Sequence, residues 1–567
     1  MIKTMRKIIK NPWFLLIVIF LIAAFLRFYH IAELPPGFYP DEAINANNGI
    51  EAWETGHLKI FYPENNGREG LWMNIVGFFV FRFGNEPWIP RAIAATFGLF
   101  TLLGVYFLAK ELFKENLKSQ ILNLKNTSQN SNLFKNWKSK IGNSRGEKIA
   151  LLSAFLLATS FWHINFSRIG FRAIMAPFFL IWAIYFLLLA LRQIKENKPA
   201  KFYILNSIFA GIFYGFGFHT YIAYRATPLL VLTILLFYWI SILRTSDVLK
   251  LIRKKKFLIS AFYFLLSTII AAAPLGLYFL KNPQDFLGRT SQISVFSSPN
   301  PVKTLGINIL KTAGMFNFVG DGNWRHNIAG RPELFWPVGI LFVIGVILSI
   351  IQVFKFLISN FQFLMKTKMS NDQNTQKLGI GNWELGIPLI WLAVAALPVI
   401  ISNEGLPHAL RAILMAPPVF ILAGIGGIWL YDKIKNFITN DNTITRDSIA
   451  KIRMLNIFVF IFLSLFVFEA YATYFILWGK NPNTAGAFSA NYVEIGRQLN
   501  TLPKETPKYV IVKASGVLVR GIPMPAQTVM FITDTFTPEK QKEKNIFYLL
   551  PEQINQLPQD SYTIILE

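Results

Sequence analysis

The sequence predicts an α-helical polytopic membrane protein of about 11 transmembrane helices, with a small external α/β subdomain at the C-terminal end. Three observations predict it. Apolar residues make up 53% of the 567, while charged residues make up 15%, where a soluble domain holds nearer a quarter. The apolar residues also gather into blocks of about 20, the length that crosses a bilayer. Finally, the basic residues crowd into alternate connections between those blocks. The 54 Phe and a mean hydropathy of +0.41 belong to the same picture. With no cysteine, the chain has no disulfide, no thiolate metal site and no Cys nucleophile.

The spans are predicted over 13–29, 88–109, 149–166, 173–191, 202–218, 226–243, 257–280, 335–354, 386–402, 411–430 and 455–478. The stretch MIKTMRKIIK ahead of the first resembles a signal-peptide n-region. The following RFYHIAELPPG offers no small-x-small cleavage site, so the segment reads as an uncleaved anchor. The connections 110–148, 192–201, 244–256, 355–384 and 432–453 are rich in Lys and Arg, LIRKKK most densely. The loop 30–87 is instead acidic, with Glu33, Asp41, Glu42, Glu51, Glu54, Glu64, Glu69 and Glu86. Because Lys and Arg stay on the cytoplasmic side, every loop agrees with one threading. That threading puts the N-terminus in the cytoplasm and the C-terminus outside the plasma membrane. It accounts for the net charge of +25 without nucleic acid as a partner. The polar insert NLKNTSQNSNLFKNWKSK is expected to be a mobile cytoplasmic loop.

Residues 1–479 then form the transmembrane domain, with external loops 30–87 and 281–334, and 480–567 form the external subdomain. GLWMNIVGFFVFRFG, in the first loop, is apolar but too short to span, and reads as an interfacial helix. In the tail, YVEIGRQLNTL reads as an amphipathic helix, and KYVIVKA, NIFYLL and YTIIL as buried strands.

The residues that could do chemistry lie on the outer side. Asp41 and Glu42 follow the stiff LPPG turn just beyond the first span, a suitable place to hold a carboxylate. An acidic pair in a loop is also ordinary hydrated surface. Arg68, Arg168, Arg172, Arg225 and Arg411 all fall at outer span ends, where charge bias alone does not place them. Arginine binds phosphate bidentately, though each could equally snorkel to headgroups. Glu69 adjoins Arg68, and Tyr221 lies between His219 and Arg225 in GFGFHTYIAYR. His163, His219, His326 and His408 lie on the outer side but show no metal-ligand spacing such as H-E-x-x-H. They read as interfacial hydrogen bonders, with His219 and His408 the two to test. Asp41 and Glu42 are the candidate ligands for a divalent cation, a hard Mg²⁺ or Mn²⁺.

The stretch LPPGFYPDEAINANNGIEAWETGHLKIFYPENNGREGLW, followed by EPWIPRAIAATFGLFTLLGVYFLAKELF, resembles the GT-C glycosyltransferases. It is most similar to the branch of protein O-mannosyltransferases and aminoarabinose transferases of lipid A. The resemblance covers roughly residues 13–240, together with the late span HALRAILMAPPVFILAGIGGIWL. It implies sugar transfer, with inversion, from a polyprenyl-phosphate donor to a lipid, glycan or protein acceptor on the extracytoplasmic face. By family position Asp41 is the base and Glu42 its neighbour, and the outer basic residues hold the donor phosphate. One departure is plain: relatives carry a further acidic residue after the third span, where FSRIGFRAIM has two arginines and no carboxylate. No nucleotide-binding motif points to a cytosolic sugar-nucleotide site. The alternatives are a polytopic lipid or polysaccharide transporter or flippase, and an O-antigen-ligase-like polymerase. Transporters set their ionisable residues near the bilayer midplane, whereas here they cluster at span ends.

Overall fold

The computed structural model describes residues 11–114, 145–243, 247–286, 294–367, 386–403, 405–439, 446–558 and 561–567. Each of the eleven predicted segments is helical. The first is α1 (Pro12–Phe28), and the first loop folds as α2 (Pro40–Thr55), the hairpin β1 (Phe61–Tyr62) and β2 (Arg68–Glu69), and α3 (Leu71–Phe83). Spans follow as α4 (Trp88–Leu112), α5 (Arg145–Ala158) with the short α6 (Phe161–Phe166), α7 (Met175–Lys195), α8 (Ala200–Gly217), α9 (Pro228–Leu243) and α10 (Asp247–Lys281). After α11 (Pro301–Gly314) come α12 (Trp336–Thr367), α13 (Ile387–Ile400), α14 (Ala416–Thr439) and α15 (Arg446–Tyr471). Among the described residues, seven of these helical stretches are long and apolar enough to cross a bilayer, and α1, α3 and α13 are shorter apolar helices. The polar insert lies outside the described residues.

Two features depart from plain spans. The third segment is broken at Thr159 and Ser160, because the Ser160 hydroxyl accepts from the His163 amide and starts a new helix, α6. Three spans also begin as 3-10 turns, at Arg172–Ile174, Ile222–Ala226 and Arg411–Met415. Each such turn carries one of the outer arginines. The stretch Arg411–Thr439 is the most enclosed, with 78% of its apolar window buried, whereas Asp447–Trp478 has 11% and lies at the periphery. Arg411 therefore heads a central helix.

Contacts at the two ends show the alternation. At one end, Trp13 packs on Tyr106 and Phe107, Lys110 pairs with Glu147, Arg192 with Glu111, and Arg145 with Asp432. At the other, Arg27 donates to the carbonyls of Leu157 and Ala158, Arg168 to Leu26 and Leu34, and Arg91 to Pro35 and Gly37. Successive spans thus run antiparallel, and the charge bias of the sequence predicts that the second end faces outside. Reporter fusions after Lys256 and Lys435 are expected to read cytoplasmic, and fusions after Lys480 external. A cytoplasmic reading after Lys480 would put the site on the other face.

α2 is the surprise of the first loop. Its sequence, PDEAINANNGIEAWET, is polar, yet eleven of its residues from Pro40 to Ala52 are buried. It crosses α3 at two glycines: a Cβ on Gly49 would lie 2.2 Å from the Met73 carbonyl oxygen, and one on Gly77 2.2 Å from that of Gly49. No side chain fits there. The other side of α2 is covered by the C-terminal unit, in which β3 (Lys508–Val512) lies between β4 (Ile546–Leu549) and β5 (Tyr562–Leu566) in a parallel sheet. The expected amphipathic helix is α17 (Ala490–Thr501), after the short α16 (Pro482–Ala487), and α18 (Ala526–Thr533) packs on α2. Ile44 of α2 belongs to the same apolar cluster as Val510 and Val529. Asn47 donates to Gln527, and the Thr528 hydroxyl to the Phe38 carbonyl. Arg520 and Lys540 pair with Glu51 and Glu54 of α2.

Candidate active site

The two carboxylates of Asp41-Glu42 have different surroundings. Both lie in the first turn of α2, where the helix dipole favours negative charge. Glu42 is fully buried and turned inward: its Oε2 accepts from the Tyr39 amide at 3.1 Å, and its Oε1 from the Gly170 amide at 2.7 Å. The Arg91 guanidinium stands 3.5 Å from the same Oε1. Glu42 therefore closes the α2 capping box and ties the lead-in turn to α4 and to the loop after α6. Each of its oxygens thus accepts one hydrogen bond from the scaffold. Asp41 is only partly buried. Its Oδ1 accepts from Asn65 Nδ2 at 2.6 Å, its one hydrogen bond among the described residues.

Asn65 comes from the hairpin turn. Asn65, Asn66 and Gly67 have φ of 51°, 63° and 79°, left-handed values that Asn and Gly tolerate best. The turn sets Arg68 and Glu69 on β2, beside α2. Arg68 is buried, donating to Asn45 at 2.8 Å, Asn48 at 2.6 Å and the Glu64 carbonyl at 3.2 Å. Burial, and then the neighbouring Arg172, push its pKa down to about 10 against the opposing pull of Asp41 and Glu64. It anchors the hairpin to α2.

Glu69 gathers the next residues. Its Oε2 lies 3.4 Å from Arg172 Nε and its Oε1 3.5 Å from Arg225 Nη2. Arg172 also lies over the Tyr221 ring at 5.9 Å, and Arg225 over Phe286 at 4.5 Å. Two cations share one carboxylate, so the cluster keeps a positive excess. His219, at the end of α8, lines the head of an apolar cavity of about 520 Å³ between α8, α10 and α3. Leu71, Ile212, Phe216, Ile270 and Ala271 form its walls, and the exposure of Phe216 and Ile270 opens it toward lipid.

A second group adjoins, because the turns bearing Arg225 and Arg411 are in contact. Asp321 Oδ2 accepts from His326 Nδ1 at 2.8 Å and from the Ala409 amide at 2.8 Å, with His408 Nδ1 3.9 Å away. Arg411 binds the Ser402 hydroxyl, and its amide donates to His408 Nδ1 at 3.4 Å. Burial works against the Asp321 carboxylate, yet the His326 hydrogen bond and charge hold its pKa below the usual range. Burial and the neighbouring His326 and Arg411 push His408 down to about 3, so its ring is neutral at physiological pH. Arg325, between the two groups, lies over the Tyr39 ring at 3.9 Å.

The structure thus brings Asp41, Glu69, Arg172, His219, Tyr221 and Arg225 to one region, with His408 and Arg411 next to it. Arg168 is elsewhere. It is buried under the lead-in turn, where it donates to the Leu26 and Leu34 carbonyls and stacks over Tyr474 and Phe475. Sequence reasoning passed over Asn65, Asp321 and Arg325. Asn65 had a signal in its Asn-Asn-Gly turn; the other two depend on long-range contacts. Asp321, His326 and His408 form the group among the described residues whose ligand atoms all lie within 4.8 Å of one another. Asp41 and Glu42 belong to no such group.

Fold and site together define a helical integral membrane protein with an arginine-lined site at one end of its spans. No family model and no curated protein matches the chain. Solved structures that align with it include ArnT from Cupriavidus metallidurans bound to undecaprenyl phosphate, at 14% identity and a TM-score of 0.48, covering 91% of this chain and 84% of that one. The archaeal oligosaccharyltransferase AglB from Archaeoglobus fulgidus, in complex with an inhibitory peptide and a dolichol-phosphate, aligns at 13% identity and a TM-score of 0.45. That alignment covers 92% of this chain and 63% of AglB.

Proposed function

We propose that the chain is a membrane glycosyltransferase that moves a sugar from a polyprenyl-phosphate donor to an acceptor on the extracytoplasmic face. One observation carries the reading: the Arg172 and Arg225 pair shares Glu69, two residues before Leu71 in the wall of an apolar cavity of about 520 Å³ that His219 also lines. That is a receptor for an amphiphile, with cations for the phosphate and an apolar channel for the tail. The resemblance of the Asp41 region to GT-C enzymes points the same way.

In this reading Asp41 takes the proton from an acceptor hydroxyl. The acceptor oxygen bonds to the anomeric carbon while the bond from that carbon to the phosphate oxygen breaks. The electron pair leaves with the phosphate, where Arg172 and Arg225 stabilise the charge. Attack opposite the leaving group inverts the anomeric centre.

Arg172→Ala and Arg225→Ala are each expected to weaken donor binding by on the order of 1.5–3 kcal/mol, the scale of a hydrogen bond to a charged group. The Lys variants should restore only part of it, because a bidentate contact is lost. Proteoliposomes loaded with radiolabelled polyprenyl-phosphate sugar supply the assay. Label that crosses the bilayer without being consumed would make the chain a transporter. Unchanged donor affinity in both alanine variants would leave the arginines as scaffold.

A further inference from the structure

We propose that Asp321, His326 and His408 bind a divalent transition metal of the zinc class, which pins the outer loop 315–335 to the loop 401–411. The three residues come from two loops far apart in sequence, and their ligand atoms converge within 4.8 Å. The donor set is two imidazole nitrogens and one carboxylate oxygen, which suits Zn²⁺ or Co²⁺ and does not suit Mg²⁺ or Ca²⁺.

The separations fit. A tetrahedral site with bonds of about 2.0–2.1 Å has ligand–ligand edges of roughly 3.3 Å. The carboxylate oxygen lies 2.8 Å from one imidazole nitrogen and 3.9 Å from the other, which bracket that edge. Small shifts of the rings, themselves 4.9 Å apart between centroids, complete the set.

His408 Nδ1 accepts from the Arg411 amide at 3.4 Å, so this nitrogen carries its single lone pair and not a proton, and a metal bound there takes the place of that long contact. His326 Nδ1 shares a proton with Asp321 Oδ2. A metal entering the triad takes the place of that proton and releases it to solvent.

The surroundings hold the ligands in place. Buried Glu333 accepts from the Asp321 amide at 2.9 Å, and Asn165 donates to the carbonyls of Arg325 and His326, both at 2.9 Å. Such outer contacts orient metal ligands. Arg325 and Arg411 stand nearby and oppose a cation, so binding must come from nitrogen donors and not from net negative charge. Hard cations are thereby excluded. Loading the site holds Arg325, through its neighbour His326, over the Tyr39 ring.

The test uses the purified full chain in detergent, stripped with chelator and titrated with Co²⁺ and Zn²⁺. It reads metal bound per chain, the Co²⁺ ligand-field spectrum and the melting temperature, so its outcome does not depend on the transferase reading. We expect about one metal per chain with four-coordinate Co²⁺ bands, and a melting temperature that rises with added Zn²⁺ because the metal binds the folded state. Excess Mg²⁺ should not displace it. His408→Asn and His326→Gln should abolish the bands while melting as the stripped wild type does. Wild type that shows no Co²⁺ bands and no Zn²⁺-dependent rise overturns the proposal, whether or not the variants fold. So do bands that persist in both His variants.

Discussion

Asp41→Asn is expected to leave the protein folded and to lower sugar transfer by roughly 10²–10⁴-fold, the scale of a positioned proton acceptor. The amide has nearly the size and shape of the carboxylate, and its oxygen can still accept from Asn65 Nδ2, now 2.6 Å away. What it lacks is basicity. Because the Asp41 side chain has no other hydrogen bond among the described residues and is only partly buried, little of the scaffold hangs on it. Glu51 and Glu54, acidic residues of the same loop, are poor controls. The structure pairs them with Arg520 and Lys540, so their amides would loosen the C-terminal unit from α2. Glu33, with its side chain 68% exposed, is the better control, and Glu33→Gln should transfer sugar normally. Turnover near wild type in Asp41→Asn would return the pair to ordinary loop charge and send the search for a base elsewhere on the outer face.

Much of this architecture is legible because a bilayer demands a long apolar run and says so in composition. The eleven segments and the three C-terminal strands are readable on those terms. What escaped the sequence was organised by polar contact. The buried surface of α2 mixes Ala43, Ile44, Ala46, Ile50 and Ala52 with Asn45, Asn47 and Asn48, which Arg68 and Gln527 satisfy, so its apolar residues form no separate stripe. A periodicity of hydrophobicity does not report a helix whose buried faces include amides held by hydrogen bonds. Arg68 and Arg168 look like Arg172 and Arg225 in the sequence, all at outer span ends. The structure separates them by their partners: Arg68 donates to asparagines, Arg168 to backbone carbonyls, and Arg172 and Arg225 share the Glu69 carboxylate. His326 and His408 show no ligand spacing because their partner Asp321 is local to only one of them, and the third arm arrives through the tertiary fold.

Glu42→Ala is expected to cost about 3–5 kcal/mol of stability, the penalty for removing one member of a buried ion pair. Arg91 would then sit 1% exposed with no opposing carboxylate; the Pro35 and Gly37 carbonyls it also binds accept its protons without cancelling its charge. The Tyr39 and Gly170 amides would lose their acceptor as well. Against a total stability of roughly 5–15 kcal/mol for a domain, such a loss is a large fraction. The expected readout is a low yield of folded protein and a sharply lowered melting temperature. Glu42→Gln should do less harm, because its amide oxygen can still accept from Gly170 while the ion pair with Arg91 is lost. The two neighbouring carboxylates are thus expected to fail in opposite ways: Asp41→Asn folds and does not turn over, and Glu42→Ala does not fold. If Glu42→Ala instead purified and melted like wild type while losing transfer, its inward contacts would be dispensable. Glu42 would then act on the substrate beside Asp41, as the adjacent pair in the sequence first suggests.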